Sequence, residues 1–193
     1  KFLKQFEDEN TVAKQTIPSP CQFYAFFTGA ETLDKTLEIY DTEEAFAKDV
    51  VKAYSEFVQE IYAAGCRNLQ LDDCVWGGMV NPELAVALTG REGAALESYK
   101  KTVLELNNQV IAQAPKDLII NTHVCRGNYH STYFSSGAYD GVADLLFGEE
   151  NVNAYYLEYD DERSGGFAPL AKMTGEKKVV LGLVTTKTPE LED

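Results

Sequence analysis

Short runs of apolar and β-branched residues alternate along the chain with longer stretches in which apolar residues recur every three or four positions. The short runs predict strands, and the longer stretches predict helices. Five strands are predicted in this way, within the segments AKQTIPSP, NLQLDD, DLIINTHV, NAYYLEYD and KKVVLGLVT. Because these strands are apolar at nearly every position, they favour a parallel sheet that is covered on both faces.

The clearest predicted helix lies within the segment TEEAFAKDVVKAYSEFVQEIYAAG. Thr42 is a typical N-cap residue for this helix, and Gly65 is a typical C-terminal stop. A second helix is predicted to begin at Pro82, to break near Gly90, and to resume through YKKTVLELNNQVIAQAP. The buried stripe of the first helix is expected to comprise Phe46, Val50, Tyr54, Phe57, Val58 and Ile61.

A covered parallel sheet belongs either to an open doubly wound fold or to a (β/α)8 TIM barrel. No glycine-rich phosphate loop follows a predicted strand, which removes the main support for a nucleotide-binding open sheet. Polar residues instead follow strand after strand, as they do in barrel enzymes. A closed barrel needs eight strands. We therefore predict an α/β TIM barrel of which residues 1–193 form an incomplete, central portion of about five βα units, organised as a single domain.

Composition and charge narrow the functional classes. Of the 193 residues, 45% are hydrophobic, which is enough for one domain with a substantial core. The formal net charge of −14 opposes binding to nucleic acids and to anionic membrane surfaces. No apolar run approaches the roughly 18 residues of a membrane helix, and the first residues are too charged for a signal peptide. A cytoplasmic protein is predicted, with cysteines that are free thiols or metal ligands.

The third predicted strand ends in a pair of side chains that suit a metal ion. His123 and Cys125 stand two positions apart and can point to the same face of the sheet. Imidazole and thiolate together suit zinc, and Glu158 at the next strand end could supply a third ligand. Two other interpretations stay open. Cys125 could be a buried core residue beside a locally hydrogen-bonded histidine, and Glu158 could belong to a solvated acidic loop that pairs with Arg163.

Two adjacent carboxylates follow the second predicted strand. One of them, Asp72 or Asp73, could face the mouth of the barrel and bind a substrate ammonium while its neighbour faces away. Alternatively, both could cap the following segment CVWGGM. His130 is expected to be a surface histidine. Three cysteines without matching partners are expected to be small core or loop residues, namely Cys21, Cys66 and Cys74.

The segments LQLDD, INTHVCRGN, YYLEYDDERSG and VVLGLVTTKTPELE, in this order and spacing, resemble the catalytic barrel of the cobalamin-independent methionine synthase family. The closest resemblance is to the short bacterial proteins that carry this barrel alone. It implies a TIM barrel that holds one zinc ion and transfers a methyl group to the sulfur of homocysteine. The zinc ligands implied by these motifs are His123, Cys125 and Glu158.

The same resemblance implies that Asp72 binds the substrate amino group, with Ser19 as a weaker candidate for a substrate contact. In the family, a second cysteine ligand follows the segment that TTKTPELED resembles, so we expect the fourth ligand to lie beyond Asp193. Long methionine synthases carry a histidine where this chain has Lys187. Because lysine is a poor acid at its usual pKa, the identity of the methyl donor stays open.

The predicted function is therefore that of a zinc-dependent methyltransferase that converts homocysteine to methionine, with 5-methyltetrahydrofolate or another methyl donor. One alternative is a metal-dependent lyase or hydrolase in which Asp72, His123 and Glu158 surround a hard divalent ion. Thiolate ligation would favour zinc, whereas an oxygen-rich set would favour magnesium or manganese. Another alternative is a barrel-derived binding protein without catalysis. The sequence does not indicate an oligomeric state.

Overall fold

The fold is known from a computed structural model that describes residues 1–190. Its strands are β1 (Gln15–Pro18), β2 (Asn68–Asp72), β3 (Ile119–Val124), β4 (Ala154–Glu158) and β5 (Lys178–Gly182). Its α-helices are α1 (Pro20–Thr28), α2 (Leu33–Leu37), α3 (Glu43–Ala63), α4 (Cys74–Met79), α5 (Pro82–Thr89), α6 (Gly93–Gln113) and α7 (Ala143–Glu149). Short 3-10 helices span Leu3–Phe6, Tyr139–Gly141, Glu162–Ser164 and Ala168–Lys172.

The five strands form one parallel sheet in the order β1-β2-β3-β4-β5. This confirms the predicted α/β class and all five predicted strands. Within residues 1–190, β1 and β5 are the two edges of the sheet, so these residues do not close a barrel. The register pairs Asp72 with His123 and His123 with Tyr156, which brings the carboxyl ends of β2, β3 and β4 side by side.

The two faces of the sheet differ in polarity. Residues that face the helices are buried and mostly apolar, among them Leu69, Leu71, Ile120, Val124, Tyr155 and Leu157. Residues on the opposite face of β2 are polar and half-buried, namely Asn68, Gln70 and Asp72. Within the described residues, the helices therefore cover one face of the sheet, and the predicted covering of the second face stays a prediction. Strands in sequential order joined by right-handed crossovers place all of their helices on one face.

The capping signals in the sequence were informative. Thr42 accepts a hydrogen bond from the amide of Ala45 at 3.1 Å and begins α3, and Gly65 follows it with a φ of 103°. Gly90 ends α5 with a φ of 68°, as predicted.

Phe57 does not belong to the buried stripe predicted for α3, because it is 40% exposed. It lies beside the row of α3 that faces the core, which turns it toward solvent near the edge strand.

A polar cluster is buried between the sheet and the helices. The side-chain amide of Asn107 donates at 2.8 Å to both Asp73 and Glu150, and the thiol of Cys21 donates to Asp73 at 3.1 Å. All four side chains belong to fully buried residues. Burial raises the pKa of Asp73, and burial together with the charge of Asp73 raises the pKa of Glu150 to about 8.

No helix in the described part of the chain combines the length and the apolar character that crossing a membrane requires.

Candidate metal centre

Three side chains with metal-binding chemistry meet at the carboxyl ends of two neighbouring strands. His123 lies near the end of β3, Cys125 directly follows that strand, and Glu158 ends β4. One ligand atom from each residue lies within 4.8 Å of the other two. All three residues are half-buried. The parallel pairing of β3 with β4 brings these groups together, since it places both strand ends at the same edge of the sheet.

The imidazole of His123 is oriented by the backbone of β4. Its Nδ1 lies 3.1 Å from the carbonyl oxygen of Tyr156. An N–H group at Nδ1 can donate to this oxygen, which leaves the lone pair of Nε2 for a metal ion. Burial by itself would lower the pKa of His123. Hydrogen bonding to Cys125 and to the Tyr156 carbonyl, together with the charge of Glu158, instead raises this pKa above its usual value.

Cys125 lies where its thiolate form is stabilised. Hydrogen bonds from the thiol of Cys74 and from His123 lower the pKa of Cys125 to about 4, and the amide of Gly127 also donates to Sγ at 3.3 Å. The thiolate is the form that binds metals. The pKa of Cys74 is raised in turn, because its thiol donates a hydrogen bond to Cys125 and because Cys74 is partly buried.

Glu158 is held by groups from three segments. Its Oε1 accepts a hydrogen bond from the amide of Arg126 at 2.9 Å, and its Oε2 lies 3.1 Å from Arg163 Nη2 and 3.5 Å from Lys187 Nζ. Arg163 and Lys187 also pair with Asp160, at 2.8 and 3.3 Å. The expected partnership with Arg163 is therefore present. However, the Arg163 side chain is only 5% exposed, so this pair is not part of a solvated loop.

The group of His123, Cys125 and Glu158 fits zinc better than a hard divalent ion. It combines imidazole nitrogen, thiolate sulfur and carboxylate oxygen, which is a donor set that zinc accepts. Each ligand has a further hydrogen bond that orients it, as is usual around bound zinc. Among the described residues, neither Asp72 nor Cys74 belongs to this group.

The two predicted substrate contacts lie in different environments. Asp72 is half-buried beside His123, and its Oδ1 accepts a hydrogen bond from Gln70 at 2.7 Å. Its neighbour Asp73 is fully buried on the helix side of the sheet. Ser19 is also fully buried, and its hydroxyl caps α1 by accepting from the amide of Gln22 at 2.9 Å. Contact of Asp72 or Ser19 with a substrate stays a prediction.

Sequence reasoning did not connect Cys74 or Gly77 with this centre. Both lie in α4, which follows β2, and β2 pairs with β3. The backbone of α4 approaches so closely that a β-carbon at Gly77 would lie 2.1 Å from the carbonyl oxygen of Cys125. The available signal was the position of Cys74 just after a strand end, since neighbouring parallel strands end at the same edge.

Two curated relatives match nearly the whole chain, and both are uncharacterized proteins of Bacillus subtilis (strain 168). YxjH is 40% identical over 188 residues, which cover 95% of this chain and 47% of YxjH. YxjG is 40% identical over 200 residues, which cover 100% of this chain and 49% of YxjG. The chain thus spans about half the length of the curated relatives it matches. No protein-family model matches the chain.

A solved structure extends this similarity. The crystal structure of the "Putative Vitamin-B12 Independent Methionine Synthase" from Listeria monocytogenes matches with a TM-score of 0.68 and 33% sequence identity. The match covers 100% of this chain and 54% of the Listeria chain. This similarity supports the resemblance to methionine synthases. The candidate metal centre is formed by His123, Cys125 and Glu158, which belong to the sequence motifs that resemble methionine synthases.

Proposed function

We propose that the protein is a zinc-dependent methyltransferase that transfers a methyl group to the thiol of homocysteine and so produces methionine. The observation that carries this proposal is the convergence of His123, Cys125 and Glu158, with one ligand atom from each within 4.8 Å of the others. The similarity to the Listeria structure supports the same reaction class. We further propose 5-methyltetrahydrofolate or another small methyl compound as the donor.

The proposal includes a complete barrel around this centre. We infer that residues 1–193 form the central part of a single (β/α)8 domain, with the described sheet as five of its eight strands. The sequential strand order and the polar face opposite the helices support this inference. In a doubly wound sheet the strand order would reverse and helices would cover both faces.

Within this proposal, His123, Cys125 and Glu158 would hold the zinc ion. Zinc bound there would keep a coordinated substrate sulfur in its thiolate form near neutral pH. The substrate thiol loses its proton to solvent. A bond then forms between this sulfur and the methyl carbon, while the bond from the methyl carbon to the donor atom breaks and its electron pair leaves with the donor.

Asp72 is proposed to bind the ammonium group of homocysteine. Its carboxylate is held by Gln70, whose side-chain oxygen accepts a hydrogen bond from Lys14 Nζ at 2.7 Å. Lys14 Nζ in turn lies 3.9 Å from the ring centre of Tyr156. This chain of contacts fixes the orientation of Asp72 on the same face as His123. A fixed carboxylate lowers the entropy cost of positioning the thiol for attack.

The zinc content of the protein tests the proposal. The wild type should bind one zinc ion, and X-ray absorption should detect an additional sulfur neighbour when homocysteine is added. The Cys125→Ser variant should lose most of its zinc affinity. Cys66→Ser is the matched control, because Cys66 is also half-buried but hydrogen-bonds to the Asn68 carbonyl, away from the centre.

Three outcomes would contradict the proposal. Preference for magnesium or manganese over zinc would favour the lyase or hydrolase alternative. Equal zinc binding by wild type and Cys125→Ser would remove the thiolate from the site. A protein that binds no metal and does not respond to homocysteine would favour a non-catalytic binding role.

A further inference from the structure

Cys74 and Cys125 occupy corresponding positions after two paired strands. The register of β2 with β3 pairs Asp72 with His123, and the amide of Asp73 still donates to the carbonyl oxygen of His123 at 2.8 Å. Continuing this register by two positions places Cys74 beside Cys125. Paired strands lie about 4.8 Å apart, and the Cα atoms of a disulfide lie about 4.4–6.8 Å apart. The spacing that this pairing sets therefore suits a disulfide.

Further contacts hold the two residues together where the strands end. Helix α4 begins at Cys74, and its backbone approaches so closely that a β-carbon at Gly77 would lie 2.1 Å from the carbonyl oxygen of Cys125. The thiol of Cys74 donates a hydrogen bond to Sγ of Cys125. The amide of Gly127 donates to the same sulfur at 3.3 Å. The two sulfur atoms therefore face each other.

The two thiols are also accessible to a small reagent. Cys74 and Cys125 are free and half-buried, and both line one cavity of about 370 Å³. The other two cysteines differ, because Cys21 is fully buried and Cys66 hydrogen-bonds to the carbonyl of Asn68. Cys74 and Cys125 are therefore the pair of thiols that the fold places in position for a covalent bond.

We propose that Cys74 and Cys125 form a reversible disulfide when a peroxide oxidises the protein, and that this bond removes Cys125 from the candidate metal centre. The first part concerns the two thiols alone. The second part rests on the proposed function, in which Cys125 is a zinc ligand. Metals bind the thiolate form of cysteine, and a disulfide sulfur carries no such charge. The oxidised protein should therefore release zinc and bind it again after reduction.

The reaction consumes one peroxide molecule for each disulfide. The sulfur of one cysteine, as its thiolate, attacks an oxygen atom of hydrogen peroxide. The O–O bond breaks, a sulfenic acid forms, and hydroxide leaves and takes up a proton to become water. The second sulfur then attacks the sulfenic sulfur, so that an S–S bond forms, the S–O bond breaks and a second water leaves. Two thiols lose two electrons in total, and the peroxide gains them.

Peptide mapping of the metal-free protein under non-reducing conditions tests the disulfide. Treatment with a small molar excess of hydrogen peroxide should yield a cross-linked pair of peptides that contain Cys74 and Cys125. This pair should be lighter than the two separate peptides by two hydrogen atoms. A phosphine reductant should restore both thiols, because a disulfide is reversible whereas sulfinic acid is not.

Two variants make this test specific. Cys74→Ser should form no cross-link, and its Cys125 should proceed to sulfinic acid because no second thiol intercepts the sulfenic acid. Cys66→Ser is the matched control and should cross-link like the wild type. Circular dichroism checks that each variant is folded. The inference is overturned if the folded wild type yields no cross-linked pair, or if Cys125 reaches sulfinic acid equally fast in the wild type and in Cys74→Ser.

Zinc then tests the link to the metal centre. Loading with zinc before the peroxide should slow cross-linking by about 10-fold or more, because a metal-bound sulfur is not free to react. Zinc released during oxidation can be followed with a chromophoric chelator. If the cross-link forms equally fast with and without zinc, the link to the metal centre is overturned and the disulfide stands. If zinc binds as the proposed function requires but no cross-link forms, the disulfide is overturned and the metal centre stands.

Discussion

Helix α4 approaches Cys125 so closely that only glycine fits at position 77. A β-carbon at Gly77 would lie 2.1 Å from the carbonyl oxygen of Cys125, whereas contacts with real β-carbons are essentially never below 3.0 Å. In a Gly77→Ala variant the two backbones must therefore separate by about 0.9 Å, the difference between these two distances. One of these two backbones is that of Cys125, so this substitution tests the candidate metal centre through a residue outside it.

The displacement is large for a metal site. Ligand distances in such sites hold within about 0.2 Å, so even a part of this separation taken up by Cys125 would move its sulfur away from an ion held by His123 and Glu158. Loss of supporting contacts alone costs about 10- to 100-fold in metal affinity. We expect Gly77→Ala to weaken zinc binding by at least that factor. Alanine favours a helix by about 1 kcal/mol over glycine, so α4 itself should persist.

The assay is competition for zinc with a chromophoric chelator, with circular dichroism as the check of folding. Gly78→Ala is the matched control, because it makes the same change in the same helix. A β-carbon at Gly78 would meet the terminal Cδ1 of Leu88 at 2.8 Å, and a side-chain end can move aside at little cost. Wild-type zinc affinity in folded Gly77→Ala would refute the coupling of α4 to the metal centre through Cys125.

Three further predictions concern stability. Glu150 has a pKa of about 8 in the fold against an ordinary value of 4.5, so the folded state holds its proton more tightly and the free energy of unfolding should decrease as pH rises through this window. The slope should not exceed about 1.4 kcal/mol per pH unit for this proton, and Glu150→Gln should flatten it in urea titrations; an unchanged slope would contradict the assignment. Arg163→Ala should lower the free energy of unfolding by about 3 kcal/mol, because it leaves the carboxylates of Glu158 and Asp160 without one of their cations. A decrease no larger than that of an ordinary surface substitution would argue against a buried ion pair. Thr42→Ala should cost about 1 kcal/mol through loss of the α3 cap, measured as a lower urea midpoint; no loss would mean that the cap does not contribute.

Local patterns predicted the elements of the fold well because the relevant physics is local. The cap at Thr42 and the stop at Gly90 depend on hydrogen bonds and φ angles within a few residues, and both were correct. The covering of the sheet was not local. The apolar runs predicted a sheet that is buried on both faces. In β2, however, Gln70 lies between the buried residues Leu69 and Leu71 and points to a polar, half-buried face.

The candidate site was predictable to a similar extent. The spacing of His123 and Cys125 indicated a common direction, and the order of the strands brought Glu158 next to them. The contribution of Cys74 was not apparent, because nothing local distinguishes a thiol that faces the core from one that faces Cys125. The burial of Arg163 beside Glu158 also depends on segments that are distant from each other in sequence.

The sequence by itself determined the elements, their caps and the chemical types available at the strand ends, since these follow from hydrophobic periodicity and residue identity. Only the tertiary structure decided which of these groups meet. The close approach of α4 to Cys125, the pairing of Glu158 with Arg163, and the buried contacts of Asn107 with Asp73 and Glu150 are products of packing. Packing depends on the simultaneous fit of several elements, and no single segment of the chain encodes that fit.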